Sequence, residues 1–369
     1  MLIRVCPARG ISSESVNFGR GNLAGVTAAV LGLAAGLAII PASASAAPGN
    51  ATGKRAVVLV SGTAATTPFT TPTRACRSGY GAGNTWTFLR NYLKKEGYRV
   101  FTAPASVGGQ KVVETDSPYD GPFGDCPTQL PSSMTINGIG SVDRSGSSLQ
   151  RFVRFLNRKY RITSVDLVGH SLGGMIGRAG IRELRLEKVP VTVRSYTTVG
   201  SPWEGTFLAA PPPDPNDPAS VCDGLAVCEA FITSLLSVPG IYMLVSYLAP
   251  ANESVWNSNQ KGFLKGIPVT LIAGDYFTKD GGASSIWPND AIINKSSALA
   301  EATPNDVLPY RRCFSFPLTH SLSVSRAQGI PDDTALTWNR DVGEAIAKGI
   351  DRAKSALTRP NRIGCPDAP

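Results

Sequence analysis

The stretch Val165–Ile181, VDLVGHSLGGMIGRAGI, decides the reading of this chain. An apolar run, VDLVG, gives way at a serine between glycines to a segment with helical spacing, LGGMIGRAGIREL (Leu172–Leu184). Gly169-His170-Ser171-Leu172-Gly173 thus fits G-x-S-x-G with a strand before it and a helix after it. A packed core has no use for a serine there. A nucleophile does, because a strained strand-to-helix turn lifts its hydroxyl out at the carboxyl end of a sheet. The flanking glycines let backbone pass where a β-carbon would clash. Without this context the five-residue pattern would be weak in a chain with 38 glycines.

A nucleophilic serine needs a base, and the chain has two histidines, His170 and His320. His170 adjoins Ser171 in the same tight turn, so its ring is not expected to face the serine Oγ productively. His320, in FPLTHSLSVS, follows the last expected strand, where the order Ser…Asp/Glu…His places the base. The acid that orients this imidazole is sought after IPVTLIAG, among Asp275, Asp280, Asp290 and Asp306. Asp290, in PNDAIINKSS, is favoured; Asp275 and Asp280 read most simply as turn or capping residues. Two backbone donors must hold the oxyanion. Leu172, after the nucleophile, supplies one, and Thr63, in the turn SGTAATT after the first strand, supplies the other, with its hydroxyl as a third donor.

Outward from this centre the pattern alternates. RAVVLVSGT (Arg55–Thr63), YRVFTA, SVDLVG, VTVRSYTTVG, IPVTLIAG and RRCFSF read as strands. NTWTFLRNYLKKEG, SLQRFVRFLNRKY, LGGMIGRAGIREL and NRDVGEAIAKGIDRAKSAL (Asn339–Leu357) read as helices. Trp86, Leu89, Tyr92 and Leu93 share one face of the first helix, and Leu149, Phe152, Val153 and Leu156 one face of the second. Alternating strands and helices require crossovers, hence an α/β class with a mostly parallel sheet and helices on both faces. Residues 104–142 are rich in Gly, Pro and Ser and read as irregular surface chain. Residues 203–262 break the alternation. They open on PPPDPNDP and continue with EAFITSLLSVPGIYMLVSYLAP, nearly free of charge and interrupted at Pro239-Gly240. Two short apolar helices inserted as a lid are expected; each half is too short to span a membrane.

Residues 1–47 combine a basic start (Arg4, Arg9, Arg20), an uncharged apolar segment and small residues ending near Ala46 or Ala47. This is the pattern of a secretory signal peptide rather than a retained anchor, which leaves residues 48–369 as one catalytic domain. The formal net charge of +9 falls slightly with the leader. No Lys/Arg cluster stands out, so nucleic-acid binding is not expected. Six cysteines remain after Cys6 is lost, an even count in an exported chain. Of the fifteen possible pairings, the expected set is Cys76–Cys126, Cys222–Cys228 and Cys313–Cys365. No Cys-x-x-Cys or paired-His spacing points to zinc, and no metal or cofactor is expected.

Together these residues resemble the secreted lipase branch of the α/β-hydrolases found in actinobacteria. VVLVSGT, NTWTFLRNYLKKEGYRVFTA, VDLVGHSLGGMIGR, YTTVGSPWEGT and NDAIINKSS carry the resemblance, in family order, over roughly residues 55 to 325. It implies Ser171, Asp290 and His320 as a triad, with Thr63 and Leu172 as oxyanion donors. SGT, and Cys313 before His320 paired with Cys365, are similar to the yeast lipase B type. The chain departs from most relatives at Ser61-Gly62, where they read His-Gly, at Trp203, where many carry His, and around Asp290, which lacks the usual Asp-Gly. The implied protein is a secreted, extracellular, monomeric ester hydrolase acting on acyl glycerols or similar lipids through an acyl-enzyme, with a lipid–water interface as a place of action. A short-chain esterase or polyester hydrolase, an acyltransferase, and a dead scaffold retained for binding are the alternatives.

Overall fold

In this computed structural model the described residues are 54–113, 121–126, 128–236, 241–352, 357 and 361–365, with backbone alone at 234–236 and 241–244. The expected leader and Pro239-Gly240 lie outside them. The main sheet has seven strands, β1 (Lys54–Val60), β2 (Val100–Thr102), β5 (Ile162–His170), β6 (Thr192–Val199), β7 (Val269–Gly274), β8 (Tyr310–Phe316) and β9 (Asn361–Ile363). They lie in the order β2-β1-β5-β6-β7-β8-β9. All six pairings are parallel, which makes the fold α/β.

The alternation within β1 shows why both faces must be covered. Ala56, Val58 and Val60 join one apolar cluster, with α2 (Val142–Tyr160) and α3 (Leu172–Leu186). Val57 and Leu59 join the other, with α1 (Gly83–Lys95) and α9 (Arg340–Ile350). A strand wetted on neither side reads as a continuous hydrophobic run, as VVLV does. The expected helix faces are the buried ones, Trp86, Leu89 and Leu93 in α1 and Leu149, Phe152, Val153 and Leu156 in α2, except that Tyr92 of α1 is only half-buried at the edge of its cluster.

The strand order reverses once, between β1 and β5, since β2 lies outside β1 while later strands extend the other way. Chains leaving two such strands diverge to opposite faces and open a crevice at their carboxyl ends. The turn after β1 and the Ser171 turn after β5 both face that crevice.

Several elements differ from expectation. Helix α2 begins at Val142, not Ser148, because the small and polar residues 143–147 hide a packing role: Val142, Ser145 and Gly146 are buried, with Gly146 against Ala179 of α3. Residues 104–142 contain a two-stranded sheet, β3 (Ala105–Ser106) and β4 (Ile136–Asn137), too short to show a period. Helix α9 stops at Ile350, and β9, a three-residue strand, adds a seventh to the sheet. Among the described residues, 203–262 hold the two expected apolar helices, α4 (Ala226–Leu236) and α5 (Ile241–Leu248), and a third α-helix, α6 (Pro250–Ser258). Helix α6 buries Glu253, Trp256 and Asn257, a mostly polar set without apolar periodicity. Two short helices, α7 (Lys295–Ala298) and α8 (Leu322–Ala327), flank β8 in the chain. Disulfides join Cys76–Cys126, Cys222–Cys228 and Cys313–Cys365.

Candidate functional site

Ser171 sits between β5 and α3 with φ 55° and ψ −133°, a conformation that costs a non-glycine residue about 1–3 kcal/mol. The neighbouring packing holds it there. Its N–H donates to Val199 O at 2.9 Å, and α3 crosses the sheet so closely that a β-carbon on Gly173 would lie 2.2 Å from Val60 O. Any side chain at 173 would push the helix off β1. The turn after β1 is equally tight. A β-carbon on Gly62 would stand 2.6 Å from Ser171 Cβ and 3.1 Å from Leu172 N.

His320 is held at three points. Its Nδ1 lies 2.8 Å from Asp290 Oδ2, its N–H donates to Asp290 O at 2.8 Å, and its carbonyl accepts from His170 Nε2 at 2.9 Å. Asp290 is fully buried. Its other carboxylate oxygen accepts from the N–H groups of Ile292 (3.0 Å) and Ile293 (2.8 Å). The remaining acid candidates lie elsewhere. Asp275 pairs with Lys295 at 2.7 Å and accepts from Ser315 Oγ. Asp306 pairs with Lys261 at the surface, and Asp280 is exposed.

One cavity of about 580 Å³ brings Ser171, His320, Thr63 and Leu172 together. Among the described residues, neither the Thr63 nor the Leu172 N–H is hydrogen-bonded. Leu172 opens α3, where an N–H has no intrahelical acceptor. Ser171 Oγ likewise makes no hydrogen bond among the described residues. The cavity has two chemically distinct sides. The insertion contributes Leu208, Val227, Phe231, Val245 and Leu248, joined by Ile292 and Ile293. Asn84, Thr85, Ser321, Ser323 and Gln328 bring polar groups from the α1 and α8 side, interleaved with Val324 and Ala327.

His170, adjacent to Ser171, is buried with its ring 4.7 Å from that of His320 and edge-on to Trp86 at 6.3 Å. A carbonyl can only accept, so His170 Nε2 carries the proton. Burial lowers its pKa to about 3, and the neighbouring His320 pushes the same way, so the ring is neutral. Sequence reasoning placed this ring away from Ser171 but gave it no partner, because nothing in the spacing shows that residue 320 passes above it.

A second buried polar cluster fastens the insertion. Arg178 of α3 lies between Trp203 and Trp256, at 4.2 and 4.7 Å from their ring centres. It pairs with Glu253 at 3.4 Å and donates to Asn257. The one sequence signal for this cluster is Trp203, where the lipases that the sequence resembles often carry His. Among the described residues, the one His/Cys/Asp/Glu grouping tight enough for a metal is Cys76, Asp125 and Cys126. Both sulfurs there are in a disulfide.

No protein-family model matches this chain, and no curated protein matches it. Solved structures resemble it in fold. A lipase from Bacillus licheniformis in its mature form is 13% identical, with a TM-score of 0.42 over 68% of this chain and 81% of that one. An esterase from Pyrococcus furiosus is 12% identical, with a TM-score of 0.42 over 81% and 84%. A lipase-esterase related protein from Clostridium acetobutylicum is 16% identical, with a TM-score of 0.39 over 82% and 96%. At such identities and scores no residue role passes from them to this chain.

Proposed function

We propose that the chain is a secreted serine hydrolase of the α/β-hydrolase type that cleaves carboxylic esters of lipids through an acyl-enzyme. The observation that carries this reading is the Asp290–His320 contact at 2.8 Å, on a cavity shared with Ser171 and two unbonded N–H groups. Ser171 attacks the ester carbonyl while His320 Nε2 takes its proton. Asp290 fixes the tautomer that leaves Nε2 free to accept and stabilises the imidazolium. Thr63 and Leu172 N–H hold the oxyanion. His320 returns the proton to the departing alcohol, and water activated by the same imidazole then releases the acid. Ser171 Oγ closes on His320 with substrate bound; such bonds are commonly loose without it.

The apolar insertion wall suits an acyl chain, which favours lipid esters, including acyl glycerols. Helices α4 and α5 act as a lid in this reading. The amino-terminal pattern and three disulfides support export. The test is hydrolysis of esters from short to long acyl length by the mature protein and by Ser171→Ala. Ser171→Ala is expected to lose about 10⁴-fold or more in kcat. A wild-type protein that neither cleaves any of these esters nor reacts with a fluorophosphonate would be the binding scaffold instead. Activity confined to short chains would make it an esterase, and added alcohol appearing in the product would make it an acyltransferase.

A further inference from the structure

We propose that His170 is a positioning residue that acts through His320, an inference that rests on the hydrolase reading above. The tip of the His320 loop has two anchors on Asp290, one to the ring and one to the backbone N–H. Both come from the same residue; Thr319 is tied to Thr334 and Leu336 and Leu322 to Thr337, so what these bonds leave open is the tilt of the His320 peptide between them. The third anchor, His170 Nε2–H to His320 O at 2.9 Å, comes from a different element, the end of β5. It ties the base to the strand that ends in the nucleophile. Ser171 is the next residue, so the distance between hydroxyl and imidazole is set through one peptide unit and one hydrogen bond.

The chemistry of the brace fits its place. Two histidine rings with centres 4.7 Å apart would repel if both were charged. In the proposed mechanism His320 becomes an imidazolium, so its neighbour must stay neutral. His170 is buried between that ring and Trp86, and burial keeps its proton count at one through the cycle. A lysine or arginine could donate to the same carbonyl but would oppose the charge on His320. A glutamine supplies a neutral N–H of similar reach.

The experiment compares wild type with His170→Ala and His170→Gln. Steady-state kinetics on one soluble ester is read beside the low-field proton resonance of the His320–Asp290 hydrogen bond. His170→Ala is expected to lose about 10–100-fold in kcat, the scale of a small misplacement of a catalytic group, with KM within about twofold. Its low-field proton is expected to broaden into exchange. His170→Gln is expected to recover most of kcat and the resonance. Wild-type kcat and an intact resonance in His170→Ala would overturn the proposal. So would a folded His170→Gln, melting as wild type, with both readouts lost. If His170→Ala does not fold, the glutamine variant decides alone. If wild type shows no ester cleavage and no fluorophosphonate labelling, the hydrolase reading falls, and the proton resonance still judges the brace.

Discussion

Single atoms decide the proposed chemistry. Asp290 is the only one of the four candidate acids that touches His320, and its carboxylate is shared between that ring and two N–H groups. Asp290→Asn preserves shape but favours the wrong imidazole tautomer; a loss of about 10⁴-fold in kcat is expected from initial rates. Gly62→Ala should cost at least the 10²–10³-fold of one lost oxyanion donor, roughly, because its methyl would press on Ser171 and crowd Leu172 N. His170 also makes stability depend on pH. Its folded pKa, about 3, lies below the ordinary 6.5. Below pH 6.5 the unfolded chain takes up a proton that the folded chain refuses. That contribution is fully present above 6.5 and is lost as pH falls toward 3, at up to about 1.4 kcal/mol per pH unit. Urea unfolding of wild type and His170→Gln should show a shallower acid-side decline in the variant.

The insertion's attachment is the decisive matter among elements. Helix α6 docks on α3 through Arg178, Glu253 and two tryptophans, all buried. Burial pushes the Glu253 carboxyl well up, against the pull of Arg178, which favours its charged form. Removing one partner strands the other, so Arg178→Met is expected to cost about 3–5 kcal/mol in denaturant unfolding. Arg178→Met with Glu253→Leu should regain much of it, since an apolar pair of similar volume needs no desolvated charge. The far end of the insertion is held more lightly, by Asp223 at the surface with Lys279 and Trp287. If α4 and α5 move as a lid, activity on a short ester should rise where the ester passes its solubility limit; a flat rate there argues for a fixed wall.

Across the whole molecule the sheet and its disulfides set what can change. Cys313–Cys365 fastens β8 to the short strand β9 across 52 residues, and its loss is expected to cost about 2–5 kcal/mol, seen as a lower melting temperature. The class of fold was legible because strands covered on both faces and amphipathic helices leave periodic traces, as VVLV and the Leu149–Leu156 face show. Ser171 was legible because its turn needs glycines that nothing else there requires, and His320 because so few imidazoles exist to choose from. Strand β9, helix α6 and the true start of α2 left no such trace, being too short or packed through polar and small side chains. The sequence by itself therefore determined the α/β class, the serine turn and the short list of partners, since these follow from local periodicity and local backbone strain. Only the tertiary structure decided which aspartate meets His320, what His170 holds, and how Arg178 anchors the insertion. Each of those depends on contacts between residues 30 to 150 positions apart, and a distance in space leaves no period in the chain.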